Sequence, residues 1–196
     1  MLFDGAEELD FVGPWEVLTA AVALCREKDA EYAGRVVTVA ERERPIRAAK
    51  GMRVVPDHTF ADAPSLDVIL VPGGDGRRTE VSNQAMLDYL RASVERCSWV
   101  TSVCTGVFLL EAIGIVHGKR VTTHWSAIDE LRNTGRVEVV DGVRFVRAGE
   151  VVTAAGVSAG IDMALWLVGQ IFGIDHARTT QHYIQYDPAP PYTAEV

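Results

Sequence analysis

Two short apolar runs constrain the fold of this chain more than any other feature. Residues 67–71 (D-V-I-L-V) close on Pro72-Gly73-Gly74, and residues 99–103 (W-V-T-S-V) close on Cys104-Thr105-Gly106. Neither alternates polar with apolar, and both are too short for a helix, so each reads as a strand covered on both faces. Strands of that kind need helices above and below them. The flanking segments have the spacing to supply these. Residues 14–28 place Pro in a first turn and apolar groups at Trp15, Val17, Leu18, Ala21, Val22 and Leu24. Residues 83–96 repeat the spacing with Met86, Leu87, Leu90 and Val94, and residues 106–113 and 158–172 form two more helices, the last with Ser158 at its N-cap.

Further strands are expected at residues 35–40, 120–122 and 151–154, with the end of another at residues 1–3. A helix is expected at about 125–133. Residues 136–140 and 143–146 flank Asp141-Gly142, a two-residue turn signal, and so predict a β-hairpin. Strands alternating with helices imply one α/β domain over residues 1–196, a mostly parallel sheet with the hairpin as an elaboration. The tail from Asp187, D-P-A-P-P-Y-T-A-E-V, is too rich in proline to be helical and is expected to wrap the surface.

A net charge of −8 argues against a nucleic-acid-binding face, which needs basic residues. No apolar run is long enough to span a membrane, and no secretory leader pattern precedes the first acidic residues. Three cysteines in no metal-like spacing point to a reducing cytoplasm.

Sites in open α/β sheets form beyond the carboxyl ends of the strands. Three groups gather there: Glu7, Glu8 and Asp10; Gly73-Gly74; and Cys104. Cys104 joins a strand to a helix with no loop between, which forces a strained residue at the tip. The helix N-terminus is expected to lower the thiol pKa and favour a thiolate. Gly106 permits close approach of helix to strand, and the N–H groups of Thr105 and Gly74 are candidates for an oxyanion hole. The competing reading makes Cys104 a small core residue, as Cys25 and Cys97 are taken to be. Asp10, between Leu9 and Phe11, is either an N-cap or a carboxyl group held against the thiol, where a protonated form would serve as acid and base. Glu16, about one turn further on, is its rival. His124, in V-T-T-H-W, either reaches the same rim as a base or packs beside Trp125. His58, His117, His176 and His182 fall on helix or loop surfaces, and no metal site is assigned.

The segments G-A-E-E-L-D-F-V-G-P-W-E-V-L, D-V-I-L-V-P-G-G-D-G, V-T-S-V-C-T-G, K-R-V-T-T-H-W, A-G-V-S-A-G-I-D-M-A-L and Y-D-P-A-P-P-Y occur in this order. Together they resemble the ThiJ/PfpI superfamily of the class I glutamine-amidotransferase-like fold, and most closely its isocyanide (isonitrile) hydratase branch. That resemblance implies a flavodoxin-like three-layer sandwich, a cysteine nucleophile on an elbow, a homodimer, a small-molecule substrate, and no metal or organic cofactor. It places the nucleophile on Cys104, the neighbouring hydroxyl on Thr105, and the acidic partner on Asp10 rather than Glu16. Gly73, Gly74, His124 and Trp125 are then assigned to substrate and oxyanion binding, with Val157 also lining the cleft. Thr105 stands where the superfamily's proteases carry histidine, which counts against a peptidase.

The implied reaction adds the Cys104 thiol to R–N≡C and hydrates the thioimidate to an N-substituted formamide. A glyoxalase- or deglycase-like activity, and a cysteine-based ligand or oxidation sensor, are the alternatives. The first strand and the C-terminal tail are shorter than the family pattern, so a start upstream of Met1 is also expected. The loop A-A-G-V-S-A-G resembles sensor domains of AraC-type regulators, but no helix-turn-helix segment follows it here.

Overall fold

The structure, a computed structural model, describes residues 1–188. In chain order its helices are α1 (Glu8–Lys28), α2 (Arg77–Glu80), α3 (Gln84–Val94), α4 (Val107–Ala112), α5 (Ile128–Arg132), α6 (Ala159–Phe172) and α7 (Ile174–Tyr183). Its strands are β1 (Val39–Ala40), β2 (Ile46–Arg47), β3 (Arg53–Val54), β4 (His58–Thr59), β5 (Val68–Val71), β6 (Trp99–Val103), β7 (Arg120–Val121), β8 (Glu138–Val139), β9 (Phe145–Ala148) and β10 (Val151–Ala154). The chain divides into two compact units, Met1–Pro14 with Val37–Met163, and Trp15–Val36 with Ala164–Val196. Residues 189–196, most of the proline-rich tail, lie outside the described residues.

The first unit is built on a four-stranded sheet in the order β5-β6-β10-β9. β5, β6 and β10 are parallel, with Leu70 opposite Thr101 and Ser102 opposite Thr153. All four residues of β10 and the last four of β6 are buried, as continuous apolar runs require. The threonine in β6 is tolerated because its hydroxyl donates to the Ile69 carbonyl at 2.9 Å. Residues 1–3 run beside this sheet: the Met1 nitrogen donates to the Leu70 carbonyl at 2.7 Å and the Leu2 N–H to Val39 at 2.8 Å. Parallel pairs β1–β4 and β7–β8 and the antiparallel pair β2–β3 complete the strands. Leu2, Phe3, Ile69, Val71, Met86, Leu90, Val100, Leu109 and Leu110 form the centre of the core.

Several expected boundaries move. The hairpin is not across Asp141-Gly142: β8 pairs in parallel with β7, and β9 pairs antiparallel with β10. The reversal falls at Gly149-Glu150, where Gly149 has φ 68°. Gly142 also takes a positive φ, 71°, but its turn joins strands with different partners. A turn signal fixes a change of direction, whereas pairing is decided by which strand edges meet. Helix α1 begins at Glu8, not Pro14, so Pro14 is internal. Having no N–H, Pro14 gives the Asp10 carbonyl no helical partner.

The second unit takes the remainder of α1, the remainder of α6, and α7. Here His176 is buried rather than on a surface. Its Nε2 lies 2.9 Å from the Ala21 carbonyl and 3.5 Å from Cys25 Sγ. A carbonyl only accepts, so Nε2 carries a proton. Cys25 and His176 thus form a packed polar contact, with Phe172 against the His176 ring and Tyr32 edge-on to Phe172.

Candidate active site

Cys104 is the tip of the junction between β6 and α4. It has φ 57°, a left-handed conformation costly for a residue with a Cβ, and it opens a single 3₁₀ turn, Cys104–Gly106, before α4. Two contacts hold that strained backbone. Thr123 Oγ1 donates to the Cys104 carbonyl at 2.9 Å. On the other side Gly106 lies so close to β5 that a Cβ there would stand 2.2 Å from the Val71 carbonyl oxygen.

Gly73, just past β5, brings acid and thiol together. Its N–H donates to Asp10 Oδ2 at 2.9 Å, and its carbonyl accepts the Glu7 N–H at 2.9 Å. A Cβ on Gly73 would fall 2.4 Å from the Thr105 nitrogen and 2.9 Å from Cys104 Cβ, so no side chain fits. Gly74, at φ 108°, donates its N–H to Thr105 Oγ1 at 3.1 Å. That bond must be given up before this N–H can serve a developing anion. Asp10, expected as an N-cap or a partner for the thiol, sits in the first turn of α1, fully buried, with its carboxyl turned to Gly73. Glu16 is exposed.

Asp10 Oδ1 is buried and has no hydrogen-bond partner of ordinary geometry. The donors that bear on this carboxyl besides Gly73 are the Cys104 thiol and the Val157 N–H. Burial raises the Asp10 pKa to about 7, the Gly73 bond opposes the rise, and the Glu7 charge adds to it. The thiol is not activated as the helix N-terminus alone suggested. Burial, and then the charge of Asp10, push Cys104 up to about 12, against the Thr105 N–H and hydroxyl, which pull it down. A six-residue α4 offers too small a field to win against a buried carboxylate. Acid and thiol are one coupled system that loses its first proton near pH 7 and holds the second far longer. Thiolate beside carboxylic acid has the same charge as thiol beside carboxylate, so the pair can pass a proton inward without gaining charge.

His124 caps the 3₁₀ turn Trp125–Ala127. Its Nδ1 accepts the Ser126 N–H at 3.3 Å and meets Ser126 Oγ at 2.8 Å, which leaves the ring proton on Nε2. The ring presses on Gly156, where a Cβ would stand 2.4 Å from His124 Cδ2. Gly156 precedes Val157, which has φ 45°, an outlier for a β-branched residue. His124 therefore supports the loop whose N–H faces Asp10. Trp125 stacks at a tilt beside His124 and is 78% exposed, so its ring remains available at the surface.

Cys104, Asp10, Thr105, Gly73 and Gly74 thus form one cluster, with His124 adjoining it. Sequence reasoning missed the strain at Val157 and the Thr123 bond. Only the polar run V-T-T at a strand end hinted at any of these. Among the described residues no group of three or more His, Cys, Asp or Glu is arranged to hold a metal. A cavity of about 150 Å³ lined by Leu2, Asp4, Glu41, Arg44, Glu80 and Met86, among others, contains none of the site residues.

The model of the DJ-1/PfpI family matches residues 1–170, and the chain belongs to that family. It is 38% identical over 192 residues to isonitrile hydratase of Pseudomonas putida, covering 98% of this chain and 79% of that protein. A glutathione-independent glyoxalase, DJR-1.2 of Caenorhabditis elegans, is 29% identical over 141 residues, covering 71% of this chain and 74% of its own. Among solved structures, a ThiJ/PfpI family protein from Pseudomonas syringae superposes with a TM-score of 0.86 at 30% identity, over 100% of this chain and 76% of that one. The fold is accordingly the flavodoxin-like α/β class that the motifs implied.

Proposed function

We propose that the chain is an isocyanide hydratase-like enzyme that converts isocyanides to N-substituted formamides. One observation carries this reading: a strained cysteine at a strand-to-helix junction beside a buried aspartic acid whose carboxyl the Gly73 N–H holds and whose pKa burial raises to about 7. The likeness to the Pseudomonas putida isonitrile hydratase supports the choice of substrate.

In the reaction, Cys104 sulfur bonds to the terminal carbon of R–N≡C, and the proton of the Asp10–Cys104 pair lands on that same carbon. The product is the thioimidate R–N=CH–S–Cys104. Water then adds to its carbon with Asp10 as base, and the nitrogen takes a proton. The C–S bond breaks, leaving R–NH–CHO and the free thiol, so one water is consumed. In this reading the Thr105 N–H, and the Gly74 N–H once released from Thr105, donate to the oxygen. The reactive form has lost one proton, so activity rises as pH climbs through about 7.

The test is formation of formamide from an alkyl isocyanide. Wild type should exceed Cys104→Ala by at least about a hundredfold, and equal rates would sink the proposal. Asp10→Asn should lose far more activity than Glu16→Gln, and the reverse would move the acid to Glu16.

The nematode glyoxalase favours a second reading, action on reactive carbonyls by the same pair. Methylglyoxal consumption without isocyanide turnover would establish it. Peroxide oxidation of Cys104 with neither activity would instead mark a sensor. A cytoplasmic homodimer completes the proposal, supported by the three free cysteines and by the resemblance.

A further inference from the structure

The turn between β2 and β3 is fastened to the segment that carries the acid. The Gly5 N–H donates to the Arg47 carbonyl, and the Ala49 N–H to Ala6, each at 2.8 Å. The Lys50 N–H donates to Glu8 Oε1 at 2.7 Å, and Lys50 Nζ pairs with Glu7. Glu8 Oε2 is buried with no hydrogen bond and has the Lys50 ammonium 3.9 Å away. Glu7 in turn donates its N–H to the Gly73 carbonyl, and Gly73 holds Asp10. Glu7 thus bears on the Asp10–Cys104 pair, Glu8 follows it in the chain, and one lysine meets both carboxylates. Other nearby cations are engaged elsewhere, Arg44 with Asp4 and Arg77 with Glu130.

We propose that Lys50 is a positioning residue of the candidate site, one that pins Glu7 and Glu8 to the start of α1 and offsets the charge of Glu7 at the Asp10–Cys104 pair. It touches neither sulfur nor substrate. The groups bearing on Asp10 are Glu7 on its own segment, Cys104 from the elbow, and the N–H groups of Gly73 and Val157, while the Lys50 ammonium of the β2–β3 turn feels the Glu7, Glu8 and Asp10 charges. The Glu7 charge resists ionisation of both members of the pair. A cation bonded to Glu7 opposes that resistance. Remove it, and the pair must give up its first proton against an uncompensated carboxylate. The inference rests on Cys104 as the reactive thiol and holds for any electrophile it attacks.

The Lys50 side chain is 69% exposed, so Lys50→Met leaves no cavity and should fold. Two readouts are compared across pH: the rate of Cys104 alkylation by iodoacetamide, and the carbon-13 shift of the labelled Asp10 carboxyl. In Lys50→Met both midpoints should rise by roughly half a pH unit at low salt, and the shift should shrink as salt is added. Glu7→Gln should move them the opposite way, Lys50→Arg should restore the wild-type profile, and Lys50→Met combined with Glu7→Gln should fall near it. Unchanged or lowered midpoints in Lys50→Met, or no rescue by arginine, would overturn the proposal. If the midpoints shift as stated in a protein that hydrates no isocyanide, the proposed activity fails and the role of Lys50 stands.

Discussion

The proposed reaction asks Asp10 to be both a proton donor and a buried group, and these demands conflict with stability. Its carboxyl ionises near pH 7 in the folded chain and near 3.8 when unfolded. A raised carboxyl pKa favours the folded state fully below the unfolded value, and the advantage is lost as pH rises through the folded one. Between about pH 4 and 7 the unfolded chain has released the proton that the folded chain still holds, so folding stability should decline across that window. Asp10→Asn removes the dependence while keeping an acceptor for the Gly73 N–H. Its melting temperature should match wild type near pH 4 and exceed it at pH 8, the gap corresponding to roughly 2–4 kcal/mol. Equal pH dependence in the two proteins would show that Asp10 is not the group titrating. The sequence told the two carboxylates apart only through family resemblance, because burial is what distinguishes them: Asp10 is 0% exposed and Glu16 is open to solvent.

The elbow between β6 and α4 is where strain is stored and opposed. Thr123→Val keeps the volume of the side chain but leaves the Cys104 carbonyl without its 2.9 Å donor. Chemical denaturation should register a loss of about 1–2 kcal/mol, and Cys104 alkylation should change with it. Gly106→Ala should be worse, because its Cβ meets backbone atoms of Val71 and Pro72 that cannot turn aside. Elements with continuous apolar runs were legible in the sequence: the buried strands β6 and β10 end where their residues change character. The start of α1 was not, since Pro14 reads as a first-turn residue and sits here in a helix that begins at Glu8. The pairing of β8 and β9 was hidden for a different reason. Both flank a sound turn signal, yet each is claimed by another strand, and that contest is decided only when the sheet assembles.

The whole molecule carries a formal net charge of −8, and this should show in substrate capture. If isocyanides are the substrates, a cationic one should give a higher kcat/KM than an anionic one of equal size at low ionic strength, by a few-fold, with the difference fading as salt is added. A ratio indifferent to salt would mean that the site is shielded from this charge. Much of the candidate site was legible because its members follow strand ends, where this class of fold exposes its chain. The ion pairs of Lys50 were not, because Glu7 and Lys50 lie 43 positions apart and no local pattern joins them. Gly73 has a consequence for how such a site can change over generations. The spacing of acid and elbow is set by one residue: its nitrogen holds the acid, its carbonyl holds Glu7, and its bare α-carbon rests against Cys104 and Thr105. No single substitution at that glycine can retune the spacing, because any side chain there collides with the elbow before it can lengthen the gap.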